Sequence, residues 1–98
     1  MEVICVSENY DNETLSFWHK HGVIHPKQDA IYNINSQKKH SNGKIGVTLE
    51  EINNPKVPIN HPILKIIMMD VTFSINRFRK LNGEKVEAKE LENVNIII

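Results

Sequence analysis

The sequence predicts an all-β fold, and three observations carry that expectation. β-branched and aromatic residues recur in short runs with period-two alternation. Two Asn-Gly pairs, Asn42-Gly43 and Asn82-Gly83, stand between such runs as turn signals. Gly22 and the prolines at 26, 55, 58 and 62 leave little room for a long helix.

The elements follow in chain order. Glu2–Val6 reads as a strand because of its β-branched content. Ser7–Glu13 is polar and turn-like. In Thr14–Val23, the residues Leu15, Phe17, Trp18 and Val23 suit either a short strand or a helical turn. Gly22 and Pro26 stop a helix from running through, so residues 14–28 read mainly as a long loop with an apolar anchor. Ala30–Asn35 is a second strand, with Ala30, Tyr32 and Ile34 on one face and Ile31 on the other. Asn42-Gly43 suits a type I′ turn, which needs φ > 0 at both central residues.

Ile45–Ile52 follows as a third strand, with Gly46 marking close packing or a bulge. Asn53–Pro62 holds three prolines and reads as a loop. Ile63–Met69 is apolar and strand-like, and Val71, Phe73 and Ile75 resume the alternation. Ser74–Phe78 suits one tight helical turn. Arg77–Leu81 alternates again, and Asn82-Gly83 turns the chain. Glu84–Glu92 has helical propensity, but Val86, Leu91 and Val94 make a poor stripe, so a frayed extension fits equally. Val94–Ile98 reads as a last strand or an apolar tail. About five short strands with tight turns suit a small, bent antiparallel barrel, and SH3-like and OB-like barrels both fit the size. The expectation is an SH3-like barrel over residues 1–81 with a C-terminal extension over 82–98, a short helix or strand that serves as an edge cover, a dimer arm or a disordered tail.

The order of motifs carries a resemblance. Val3-Ile4-Cys5-Val6, Ala30-Ile31-Tyr32-Asn33-Ile34, Ile45-Gly46-Val47-Thr48-Leu49-Glu50-Glu51-Ile52 and Phe73-Ser74-Ile75-Asn76-Arg77-Phe78-Arg79-Lys80-Leu81 follow one another. This resembles a loose group of small uncharacterised proteins of bacteriophages, prophages and other mobile elements. Their pattern is a "V-I-C" strand, a "Y-x-V/I" strand, a "G-x-x-L-x-E-I" strand and a closing "F-x-x-x-R-F-R-x-L". The resemblance implies an SH3-type barrel and no particular activity. Residues 56–72 are longer and more apolar than the group's usual loop, and residues 82–98 run past its usual end.

Composition bounds the function. Twelve Lys+Arg balance twelve Asp+Glu, with five of each sign in residues 1–49 and seven of each in 50–98. No whole-molecule field draws the chain onto nucleic acid or anionic lipid. The single Cys5 excludes an intrachain disulfide and fits a reducing compartment. No signal peptide or membrane-length apolar run is apparent, so a cytoplasmic protein that does not contact a membrane is expected. No P-loop, G-x-G-x-x-G or G-x-S-x-G occurs, so neither an enzyme nor a cofactor is expected.

Candidate surfaces remain. Arg77, Arg79 and Lys80 interleave with Phe78 and form the candidate nucleic-acid contact, through phosphate pairing and base stacking. The alternative places Phe78 and Leu81 in the core and pairs the arginines with Glu50, Glu51 or Asp70. His19, His21 and His25 have H-x-H-x₃-H spacing, but no carboxylate or thiol stands near at ligand spacing, so no metal site is expected. Cys5, in an apolar strand, reads as a small buried hydrophobe. Tyr10 and Trp18, with Phe17 and Tyr32, are the aromatics a peptide groove would use. Ile63–Met69 and the tail residues Ile96, Ile97 and Ile98 are the candidate protein-interaction strands, with a protein partner or self-association in view. The leading expectation is therefore an accessory module that binds a protein, and nucleic-acid binding is the alternative.

Overall fold

The structure, a computed structural model, describes residues 1–91 together with the backbone of Asn95 and Ile96. The chain divides into two compact units. The first comprises Met1–Asn9, His25–Asn53 and Thr72–Ile98, and the second comprises Tyr10–Ile24 and Asn54–Val71.

The first unit is built on one sheet. Its strands are β1 (Glu2–Cys5), β2 (Ile31–Lys39) and β3 (Ile45–Leu49), followed later in the chain by β6 (Phe73–Ser74), β7 (Phe78–Lys80) and β8 (Asn95–Ile96). Their order in space is β6-β3-β2-β1-β7, with β8 added in parallel to β2. The nine-residue β2 sits at the centre. Its first half pairs with β1 (Val3 opposite Tyr32) and its second half with β3 (Gln37 opposite Val47). The register shifts between Ile34 and Ser36, which leaves Asn35 as the extra residue of a bulge.

Alternation explains the core. Val3 and Cys5 on β1, Tyr32 and Ile34 on β2, and Val47 and Leu49 on β3 are buried, while Ile31 on the opposite face of β2 is exposed. Pro26, Phe73, Ile75, Phe78, Val86 and Leu91 are also buried in this unit. Ser74 caps a single 3-10 turn, Ile75–Arg77, by accepting the Asn76 N–H at 3.3 Å. That turn connects β6 to β7 and aims Phe78 inward.

The two Asn-Gly turns are built alike. The His40 N–H donates to Lys44 O at 2.8 Å, and the Gly43 N–H donates to His40 O at 2.9 Å. The Lys80 N–H donates to Glu84 O at 2.8 Å, and the Gly83 N–H donates to Lys80 O at 2.8 Å. In each, the Asn side-chain oxygen accepts an N–H two residues on, from Lys44 and from Glu84, both at 3.0 Å. Only the glycines have positive φ, 83° and 89°. These are three-residue loops closed by a left-handed glycine, which at Asn42-Gly43 replaces the expected type I′ turn.

The second unit holds α1 (Asn12–Lys20) and a two-stranded sheet of β4 (Val57–His61) and β5 (Lys65–Met69). The helix occupies part of the expected loop over 14–28. Asp11 caps its start by accepting the Thr14 N–H at 2.7 Å. Its end is a left-handed Gly22 at φ 71°, with the Val23 N–H returning to Trp18 O at 2.9 Å and the Gly22 N–H to His19 O at 3.4 Å. Gly22 thus ends the helix just past its last turn. Asn54 ties the unit's two segments together: its Oδ1 accepts the Ile24 N–H and its Nδ2 donates to Ile24 O, both at 2.8 Å.

The expected SH3-like barrel is not formed. Both sheets are open, and among the described residues the terminal strands β6 and β7 do not pair with each other. They are two and three residues long and are taken up by β3 and β1. Residues 54–71, which a simple barrel would use as a loop, form their own hairpin in the second unit. The protein remains all-β in its sheets, with one nine-residue helix.

Gly46 provides a sharp packing test. A Cβ built there would lie 2.7 Å from Thr72 Cβ and 2.8 Å from His40 Nε2, closer than real atoms approach. His40 Nε2 and Thr72 Oγ1 are themselves hydrogen-bonded at 3.1 Å over this site. Gly46→Ala should lower the free energy of unfolding by ~1–3 kcal/mol in urea melts, the usual range for overpacking a tight core. An unchanged midpoint would show that β3 and the Thr72 segment are not in contact.

Candidate interaction site

The apolar side chains that the fold leaves outside concentrate on one element. In the β4–β5 hairpin, opposite residues share a face: Val57 with Met69, Ile59 with Ile67 and His61 with Lys65 on one side, Pro58 with Met68 and Asn60 with Ile66 on the other. Val57 is buried. The second face and the tip are not: Ile63 is 82% exposed, Leu64 63%, Ile66 65% and Met68 57%. Such a cluster on a single hairpin is more than the scattered surface apolars of an ordinary domain.

The local sequence explains the tip. Pro62 presets φ for a turn after β4. His61 Nδ1 then accepts the N–H groups of Ile63 at 3.1 Å and Leu64 at 3.0 Å, so the ring caps the turn from inside. Lys65 begins β5 in the left-handed region at φ 64°, which is costly for a residue with a Cβ. The result projects Ile63 and Leu64 outward. No carboxylate occurs between Ile52 and Met69, whereas Lys56, Lys65 and His61 do, so the hairpin is apolar with a basic fringe. The apolar run Ile63–Met69 predicts a strand, whereas the three prolines of Asn53–Pro62 predict a loop where β4 in fact stands. Pro58 is accommodated in β4 because a strand in a two-stranded sheet has a free edge where a missing N–H is tolerated. The Val57, Ile59 alternation was the available signal.

The side chains of the basic cluster make contacts within the chain. Phe78 is fully buried and offers no ring for stacking. Arg79 Nη1 donates to the Asn76 and Phe78 carbonyls at 3.0 and 2.9 Å. Arg77 Nη1 donates to Ser7 Oγ at 3.3 Å. Lys80 pairs with Glu90 and, at 3.9 Å, with Glu84. That contact with Glu90 draws the Lys80 ammonium above, and the Glu90 carboxyl below, their ordinary values. It also ties the 3-10 turn Ala88–Leu91 to β7. Glu51 does not serve the arginines. Burial works to raise its pKa, but the N–H groups of Asn33 outweigh this and hold it below the usual carboxylate range.

The remaining candidates separate. His19 and His21 belong to the second unit and His25 to the first, where its Nδ1 lies 3.0 Å from Pro26 O and 4.0 Å from Glu8. Among the described residues no three His, Cys, Asp or Glu gather in a way that would hold a metal. Cys5 is buried, and that burial raises its thiol pKa; it donates to Ser7 O at 3.4 Å. Tyr10 and Trp18 meet edge-on in the second unit with ring centroids 4.8 Å apart. Tyr32 is buried in the first unit, its hydroxyl accepting the Lys27 N–H at 2.8 Å. Ile96 is in β8, on β2, while Ile97 and Ile98 lie outside the described residues. Gln37 Nε2 anchors the approach to β8 by donating to Leu91 O at 2.7 Å. Among the described residues no helix is long and apolar enough to cross a membrane.

Compared with family models, with curated proteins and with solved structures, the chain finds no match in any of the three. The resemblance to phage and prophage proteins therefore gains no support there.

Two outcomes are expected. The lowered Glu90 carboxyl contributes stability that is present above the unfolded Glu value and lost as pH falls through the lower folded value. The raised Lys80 contributes below its unfolded value and is lost as pH rises through the folded one. Glu90→Gln should therefore be less stable than the parent near neutrality, and the gap should close in acid; a gap independent of pH sinks the assignment. Replacing His61 with Ala should speed hydrogen exchange at the Ile63 and Leu64 amides without altering exchange in β1–β3. Equal rates in both proteins would show that the ring does not hold the tip.

Proposed function

We propose that this protein is a non-enzymatic binding module of the cytoplasm that engages a protein partner through the β4–β5 hairpin. One observation carries the reading: the exposed group Ile63, Leu64, Ile66 and Met68 on a hairpin whose outer edges carry no strand among the described residues. Burying four such side chains yields roughly 6–12 kcal/mol gross at ~1.5–3 kcal/mol each. Association itself costs about 4–15 kcal/mol. Side-chain burial alone thus gives modest affinity, and main-chain pairing at the strand edge adds to it. The nucleic-acid alternative has less support, because Phe78 is buried and Arg79 and Lys80 are engaged within the chain.

A photoreactive residue in place of Met68 tests this in extract of the producing cell. A discrete adduct is expected at position 68 and not at Leu81, an exposed apolar residue of the other unit. The adduct should weaken at least tenfold when Ile66 is changed to Asp. Equal labelling at 68 and 81, or none at 68, rejects the hairpin as a binding element.

A further inference from the structure

We propose that the partner of the hairpin is a second copy of this chain, joined β5 to β5 about a twofold axis into one four-stranded sheet. The proposal rests on the hairpin being the binding element and specifies what occupies it.

The edges of the strands point to β5. In the first unit β8 lies along the second half of β2, and β6 and β7 are only two and three residues long. Among the described residues, the open edges of useful length belong to β4 and β5, five residues each. β4 carries Pro58, which has no N–H to offer. β5 has none of the usual guards of an edge strand: no proline, no bulge in its pairing with β4, and its one charge, Lys65, at the first position. A two-stranded hairpin is also marginal by itself, and further strands relieve that.

The sequence of β5 suits its own antiparallel copy. A twofold axis perpendicular to a sheet returns each face to itself, so a residue meets one of the same face. With Ile67 on the axis, Ile66 stands opposite Met68 of the second copy, and Met68 opposite its Ile66. The exposed apolar pair of one hairpin becomes a strip of four across the joint. Lys65 stands opposite Met69 of the second copy, one position from its Asp70, and this occurs at both ends. Asp70 is the first carboxylate after the acid-free stretch that ends at Met69. The copy therefore brings a negative charge to the basic end of each β5, whereas a parallel pairing would set Lys65 beside Lys65. The chain's zero net charge adds no global repulsion between copies.

Sedimentation velocity of the full chain from low to high micromolar concentration reads the outcome. The expected result is a species of twice the 11.3 kDa chain mass that dissociates on dilution. The double variant Ile66→Lys with Met68→Lys, at exposed positions, sets like charges opposite each other across the axis; it should stay monomeric with an unchanged circular dichroism spectrum. Ile67→Cys places two thiols across the axis at ~4.5–5.5 Å between Cα atoms, within disulfide reach, so mild oxidation should give a covalent dimer. Leu81→Cys should not, and neither should the parent chain, whose Cys5 is buried. A parent that is monomeric throughout overturns the proposal, as does a dimer that survives the double variant. A monomer whose position-68 photoadduct has a foreign mass overturns only the second copy and leaves the hairpin as binding element. Absence of both dimer and adduct overturns both readings.

Discussion

The sheet of the first unit depends on the bulge at Asn35. β2 is the strand that every other pairing uses directly or through one neighbour, and a straight nine-residue strand would present one continuous edge to each side. The extra residue gives it two segments. Residues 31–33 take β1, while β3 pairs on both sides of the bulge, with Ile34 before it and residues 36–39 after it, and β8 is added at Ser36 and Gln37. β1 in turn holds β7, which sets Phe78 opposite Cys5 in the middle of the core. Ser36, just past the bulge, is buried and hydrogen-bonded to Thr48, so the shift leaves its hydroxyl satisfied.

Local patterns in the chain conveyed the strands and turns of the first unit. Val3 and Cys5, Tyr32 and Ile34, Val47 and Leu49 alternate because one face is buried, and that alternation needs no knowledge of partners. The tight turn at Ser74–Phe78 is legible as well, and in the structure Ser74 caps it. Closure was not legible. Whether β6 reaches β7 depends on residues far apart in sequence, and on residues 54–71 folding as a unit of their own. Helix α1 is only half legible. Gly22 marks its stop in the sequence, but the Asp11 start is hidden in a polar stretch that reads as a turn, and a helix with no buried residue leaves a faint apolar stripe.

The candidate surface shows the same division. Ile63–Met69 stood out as apolar in sequence, yet apolarity alone does not distinguish a core strand from an exposed one. Exposure is a property of the hairpin register and of the His61-capped tip. Conversely, Arg77, Arg79 and Lys80 formed a conspicuous basic run whose side chains the fold spends on Ser7, on backbone carbonyls and on Glu90. A charge run on an alternating strand has half its neighbours turned inward, and here the interleaved ring is the inward one.

The paired glycine turns bear on how the molecule ages. Asn-Gly is the dipeptide most prone to losing ammonia, because the unshielded glycine nitrogen attacks the asparagine side-chain carbonyl to close a five-membered imide. In both turns that nitrogen is already committed: Gly43 N–H to His40 O and Gly83 N–H to Lys80 O. The carbonyl under attack is likewise held by the N–H of Lys44 or Glu84. Imide closure therefore has to wait for a turn to open, and each event replaces an amide with a carboxylate in a chain that begins with no net charge. The drift of the protein toward acidic forms on storage becomes a clock that counts the openings of its two hairpin ends.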